Sequence, residues 1–316
     1  MSGGTGFPAL SMALTNSFNP SGNSLRIRLN AALSASIDFR STPIGLMTSP
    51  SDFQWLSDTA VVFDGLSSRA YFFDLNGKVI RILTLPHPFS SAALDPNRMR
   101  AYLAIYSSRY YYADDRFVPG SDSLIEETSL IDGRALGSIG TPVQYGHAKL
   151  QFLGNDVMLA RDPKSGSLAV AWPVSPHVEI RGVNNRLHLD LPYSGNFTPP
   201  QPKVVQLAPL PMPPDVDYQR IVYGMDVDSA GRIYLLTAST LQTEPIWSSK
   251  YHPPHEVVEV MSASGETICR IPLPFFATAV AVARQGQLLL SDSARGNGAY
   301  RLTYKCLTVG KKRDDN

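Results

Sequence analysis

Two stretches of this chain bring together side chains suited to binding chemistry. The first, 107–123, reads SSRYYYADDRFVPGSDS and sets Tyr110, Tyr111 and Tyr112 beside Asp114, Asp115 and Arg116. The second, 241–256, reads LQTEPIWSSKYHPPHE and carries Trp247, Lys250, Tyr251, His252 and His255. Tyr, Trp and Arg offer a large contact area, a polar handle and little entropy to lose, which is the chemistry of binding hot spots. An aromatic and polar mixture of this kind suits a peptide, a protein loop or a carbohydrate better than a phosphate. The competing reading is that the rings lie back over the scaffold as packing.

Catalytic and metal chemistry is harder to assemble. His252 and His255 are separated by two prolines. Proline excludes the helix that aligns the histidines of a His-Glu-x-x-His motif, and zinc needs three or four converging ligands. No metal and no cofactor is predicted. Asp95, Asp162 and Asp228 recur in LDPN, RDPKSG and VDSAG. A central cation site is one reading of them. An Asx-type turn, in which the carboxylate accepts backbone N–H groups, is the better one. Asp292, in LLLSDSARGNG, ends a strand-like run, but spacing supplies no catalytic partner for it. The chain has no Gly-x-Ser-x-Gly elbow, no Gly-x-Gly-x-x-Gly and no P-loop, so serine hydrolysis and nucleotide binding lack a motif.

The bulk composition removes further classes. The formal net charge is +1, which gives no global pull toward nucleic acid or an anionic membrane. No apolar run reaches the roughly 18–20 residues that span a bilayer, so no membrane span is predicted. The N-terminus has no basic start and only a short apolar patch, so no signal peptide is evident. Cys269 and Cys306 lie in different strand-like runs rather than in a Cys-x-x-Cys pair. Spacing leaves a disulfide open, since it needs both an oxidising compartment and suitable geometry.

The elements that must position these residues read as strands. The stretch 221–274 contains four apolar runs rich in Val, Ile, Leu and Tyr, broken by Ser-Ala-Gly, by the 241–256 insertion and by Ser-Ala-Ser-Gly. One such unit is a four-stranded antiparallel meander. The pattern recurs from Asp52, from Phe89, less cleanly from Leu150, and from Phe275. Helical periodicity is nearly absent. Repeats of this length predict an all-β chain forming a β-propeller of four-stranded antiparallel blades. Blades packed around an axis cover one another's faces and leave only short edges. The rival is a pair of β-sandwiches. The last unit lacks a final strand, so Leu25–Leu29 or Ser36–Arg40 is expected to complete it and close the ring.

The phrases DVDSAGRIYLL, YFFDLNGKVIRIL and EVVEVMSASGETICRIPLP resemble the six-bladed NHL/TolB-like propellers over most of 50–305. About five units are clear in the sequence, so six blades require a divergent one, in 1–45 or in 141–192; five is the alternative. The resemblance implies a scaffold used by sugar-lactone hydrolases, by peptide- and partner-binding proteins and by exported proteins, and it favours a periplasmic or extracellular location. Fold alone does not choose among these.

The expected organisation is a flexible 1–23, a single propeller over 24–309 and a charged tail over 310–316. In an antiparallel blade the tight turns fall at one end. Here these are Asn76-Gly77, Asp132-Gly133, Asn184-Asn185, Ala230-Gly231 and Ser264-Gly265. The long insertions 107–123, 193–217 and 241–256 fall at the other end, where binding normally resides. The expectation is a monomeric, non-catalytic binding or scaffold protein. Its ligand is a peptide, protein or carbohydrate, held by Tyr110, Tyr111, Tyr112, Asp114, Asp115, Arg116, Trp247, Tyr251, His252 and His255. The alternative is a lactonase-like, metal-dependent hydrolase acting at the central channel.

Overall fold

Val, Ile, Tyr and Phe crowd the strand runs, and the computed structural model places them in stacked antiparallel sheets. It describes 24–28, 34–38, 50–107, 111–113, 116–118, 122–182, 186–190, 203–205, 215–238, 256–292 and 298–304, less positions 57, 77, 176, 274, 276, 278, 285 and 286. A hairpin of β1 (Ser24–Arg28) and β2 (Ser34–Asp38) comes first. The first sheet is β3 (Pro50–Leu56), β4 (Thr59–Asp64), β5 (Arg69–Phe73) and β6 (Val79–Thr84), paired in chain order. The second holds β7 (Ala92–Asp95) and β8 (Arg100–Ala104). After an inserted hairpin, β9 (Tyr111–Ala113) and β10 (Arg116–Val118), it is completed by β11 (Ile125–Ser129) and β12 (Ala135–Ile139).

A helix, α1 (Ala148–Gly154), leads into the third sheet: β13 (Met158–Arg161), β14 (Leu168–Ala171), β15 (His177–Arg181) and β16 (Arg186–Asp190). A second inserted hairpin, β17 (Lys203–Val205) and β18 (Asp215–Asp217), precedes the fourth sheet. That sheet is β19 (Val222–Val227), β20 (Ile233–Ala238), β21 (Glu256–Met261) and β22 (Thr267–Pro272). The fifth has three described strands, β23 (Ala279–Arg284), β24 (Gln287–Asp292) and β25 (Gly298–Thr303).

The core explains why the strand runs read as continuously apolar. In the second sheet Ala92, Leu94, Ala101 and Leu103 pack on Val61, Phe63, Ala70 and Phe72 of the first. Their alternate neighbours Ala93, Tyr102 and Ala104 pack the other way, on Leu159, Leu168 and Val170 of the third. The third and fourth sheets meet through Ala160, Ala169, Ile233 and Leu235. The fourth and fifth meet through Tyr234, Leu236, Leu288 and Leu290. Side chains alternate across a strand, so a sheet buried on both faces needs an apolar residue at every position. Each fully buried Val, Leu or Phe contributes about 1.5–3 kcal/mol. Stacked sheets in sequential contact, with β3, β7, β13, β19 and β23 successive neighbours, are blades around an axis. The fold is a β-propeller, and the sandwich alternative is set aside.

The structure refines three expectations. The segment LQFLG of the crowded third unit belongs to α1, which leaves four strands for that blade. No cap announces this helix, because His147 precedes it without a side-chain capping bond. The expected closing strand is absent from the described pairings: β1 and β2 pair with each other, and no described strand lies beyond β25. Among the described residues, no helix is long and apolar enough to cross a membrane.

Candidate functional site

The insertions converge. In an antiparallel blade, loops between second and third strands and connections between blades share one end. The β9–β10 hairpin is such a loop, and α1 and the β17–β18 hairpin sit in two such connections. α1 lies against both β10 and β18, so three segments from different parts of the chain meet on one face. A polar network fixes α1 there. Gln151 Nε2 donates to the Tyr106 hydroxyl (3.0 Å) and to the Val143 carbonyl (2.7 Å), and its Oε1 accepts from the Tyr145 N–H (2.8 Å). Asn155 accepts from the Val143 N–H (2.8 Å) and donates to its carbonyl (3.0 Å). Buried amides with every group paired hold one geometry, because leaving any of them unpaired is costly. Gly154 is required by this packing: a Cβ there would lie 2.4 Å from the Tyr145 ring. Burial pushes the Tyr145 phenol up to about 12, so it stays protonated.

The predicted contact residues are only partly in view. Tyr111, Tyr112 and Arg116 belong to the β9–β10 hairpin, whose register sets Tyr112 opposite Phe117, Tyr111 opposite Val118 and Ala113 opposite Arg116. The stretch expected as a loop is thus partly a two-stranded ribbon. Tyr110, Asp114, Asp115, Trp247, Tyr251, His252 and His255 lie outside the described residues.

The innermost strands carry polar residues that sequence reasoning missed. The outer-facing ladder of an inner strand ends at its free edge, and at β7, β13 and β23 a side chain from the preceding blade bonds to that edge. Asp52 on β3 accepts from the Ala92 N–H of β7 (2.6 Å). Gln54, two residues on, accepts from Leu94 N–H (2.6 Å) and donates to the Ala92 carbonyl (2.9 Å). Ser91 accepts from the Leu159 N–H of β13 (3.1 Å), and Asp226 on β19 accepts from the Val282 N–H of β23 (2.6 Å). These are stitches from blade to blade along the axis.

Asp52 and Asp226 belong to the first and fourth sheets, which are not neighbours, yet the charge of Asp226 reaches Asp52, and both stand on innermost strands. Burial pushes Asp52 up to about 7, opposed by its hydrogen bonds from Ala92 and Ser91 and reinforced by Asp226. Burial likewise pushes Asp226 up to about 6, against the Val282 and Val227 N–H groups. The available signal was a polar residue on alternate positions of an apolar inner strand, as in SDFQWL and GMDVD.

The recurring carboxylates of the tight-turn end are structural, as their turn contexts implied. Asp228 accepts from the Ala230 and Arg232 N–H groups (both 2.9 Å), from Arg232 Nε (2.7 Å) and from the Tyr234 hydroxyl (3.1 Å). Asp95 accepts from the Arg98 N–H (3.1 Å) and pairs with Arg161 of the next blade (2.8 Å). Asp162 accepts from the Lys164 N–H (2.8 Å). Asp292 ends β24, its backbone opposite Gly298. Among the described residues no three His, Cys, Asp or Glu side chains gather as a cation would require.

No family model and no curated protein matches the chain. Solved structures do. A member of the DUF4221 family from Bacteroides vulgatus superposes with a TM-score of 0.53 at 12% identity, over 94% of this chain and 93% of its own. The β-propeller domain of Myceliophteria thermophila Cps50 (Swd1) gives 0.43 at 11% identity, over 77% of this chain and 62% of its own. BamB from Moraxella catarrhalis gives 0.39 at 13% identity, over 93% and 84%. At such identities the likeness speaks to fold alone.

Proposed function

We propose that this propeller is a non-catalytic binding or scaffold protein that engages a peptide, protein or carbohydrate through its long-loop face. The observation that carries the reading is the meeting of α1 with β10 and β18. A rigid ring presents a platform built from separate insertions, and one of them holds Tyr111, Tyr112 and Arg116. The test is a glycan and peptide array probed with the full chain and with Trp247→Ala. Saturable binding that the substitution weakens at least tenfold supports the reading; capture unaffected by it places binding elsewhere.

The second reading, a lactonase-like metal-dependent hydrolase, has one observation in its favour: Asp52 and Asp226 both lie on innermost strands, and the charge of Asp226 acts on Asp52. Both, however, already accept backbone N–H groups. Thermal melting against Ca²⁺, Mg²⁺, Mn²⁺ and Zn²⁺, each with an EDTA control, separates the two. An ion bound only by the native state adds about 2.7 kcal/mol at a hundredfold excess over Kd. A saturable rise accompanied by lactone turnover would carry the hydrolase reading instead.

The proposal includes a six-bladed ring of the NHL/TolB-like kind, a monomer, and export. Burial of the second face of the first sheet (Ala60, Val62, Tyr71, Phe73), which no described cluster joins to another sheet, supports a sixth unit. The disulfide formed by Cys269 supports an oxidising compartment.

A further inference from the structure

The fifth sheet has three described strands where the complete blades have four. Among the described residues no strand pairs with the outer edge of β25, the edge at which the other blades are joined by their fourth strand. Two anchors stand at that point, and both run back to the fourth blade. Tyr304, one residue beyond β25, donates its hydroxyl to the Tyr234 hydroxyl (2.9 Å), which donates in turn to Asp228 (3.1 Å). The two rings meet edge to face, with centroids 6.4 Å apart. Cys269, on the outermost strand of the fourth blade and 1% exposed, is disulfide-bonded. The chain has two cysteines, and the other is Cys306, two residues after Tyr304.

We propose that these contacts form a clasp at the outer end of the fifth blade. The disulfide and the Tyr304–Tyr234–Asp228 chain fasten the end of the last blade to the blade before it. The closed covalent loop then contains the whole fifth sheet, so the bond restrains that sheet and little else. The fifth blade is therefore the part of the ring whose order depends on redox state. A dithiol opens the clasp by delivering two electrons and two protons, giving two protein thiols while the dithiol closes to its own disulfide.

Three measurements on the 316-residue chain test this. First, alkylation under denaturing, non-reducing conditions should add no label, and two labels after reduction; two labels without reduction would overturn the proposal. Second, limited proteolysis with and without a dithiol should show first cleavage in 293–316, at least tenfold faster once reduced, with cleavage in 50–190 unchanged. Uniform acceleration along the chain, or none, would overturn it. Third, Tyr304→Phe keeps the disulfide and the ring but loses the hydroxyl, which avoids the folding risk of Cys269→Ser. It should speed cleavage of the reduced protein's 293–316 segment several-fold; an unchanged rate would remove Tyr304 from the clasp.

Discussion

Asp52→Asn and Asp226→Asn should make the protein less sensitive to pH. An unperturbed aspartate releases its proton near 3.8, but Asp52 keeps its proton up to about 7 and Asp226 up to about 6. Between those limits the folded chain holds protons that the unfolded chain has already released. The native state is therefore favoured at low pH, and its stability falls as pH climbs through about 4 to about 7. Each pH unit of that span is worth about 1.4 kcal/mol. The ceiling is about 4 kcal/mol for Asp52 and about 3 kcal/mol for Asp226. Both groups are half-buried, so solvent screening lowers each figure. Glu259, which burial pushes up to about 7 despite its Arg270 partner, adds a slope of the same sign.

Asparagine retains a carbonyl oxygen to accept the Ala92 or Val282 N–H but cannot ionise. The stitch stays and the titration goes. Thermal unfolding followed by circular dichroism at pH 5, 6, 7 and 8, at fixed ionic strength, reads the difference. At about 2 °C per kcal/mol for a chain of this size, wild type should lose several degrees between pH 5 and 8. Asp52→Asn should lose about half as much. Equal slopes for wild type and both variants, or a wild type more stable at pH 8 than at pH 5, would refute the burial of these carboxylates on the inner strands.

Three further outcomes are expected. Gly133 has φ +77°, and a Cβ there would lie 2.2 Å from the Thr84 carbonyl oxygen. Gly133→Ala should therefore cost at least about 2 kcal/mol in urea unfolding, and a loss below about 0.5 kcal/mol would contradict the packing of this turn on β6. Arg161→Met leaves the fully buried Asp95 without its inter-blade partner and should cost about 3–5 kcal/mol. Adding Asp95→Asn should return part of that loss in a double-mutant cycle, and strict additivity would show that the pair is not coupled. Gly154→Ala should push Tyr145 aside and raise hydrogen exchange across α1 tenfold or more, while the exchange of β4 and β20 amides stays unchanged.

Much of the scaffold was legible because its signals are local. Asp132-Gly133 and Ala230-Gly231 mark hairpins through their own backbone preferences, and both sit where the pattern put them. The Asp95, Asp162 and Asp228 turns likewise declare themselves within a few residues. The face assignment followed from strand order alone, and α1 bridging two insertions agrees with it. What escaped notice depends on contacts between distant parts of the chain. Asp52 and Ala92, and Asp226 and Val282, have no sequence neighbourhood that records their meeting. α1 was missed for another reason. It has neither a cap nor a long apolar face, and its stability comes from Gln151 and Asn155 bonding to the preceding connection.

The central claim is that ligand is held on the long-loop face. The most direct measurement compares array binding of wild type with a loop-face variant, Tyr112→Ala combined with Trp247→Ala, and with a tight-turn variant, Lys164→Ala combined with Glu266→Ala. The account predicts that the loop-face variant loses at least tenfold in affinity while the tight-turn variant matches wild type. Loss confined to the tight-turn variant would contradict it.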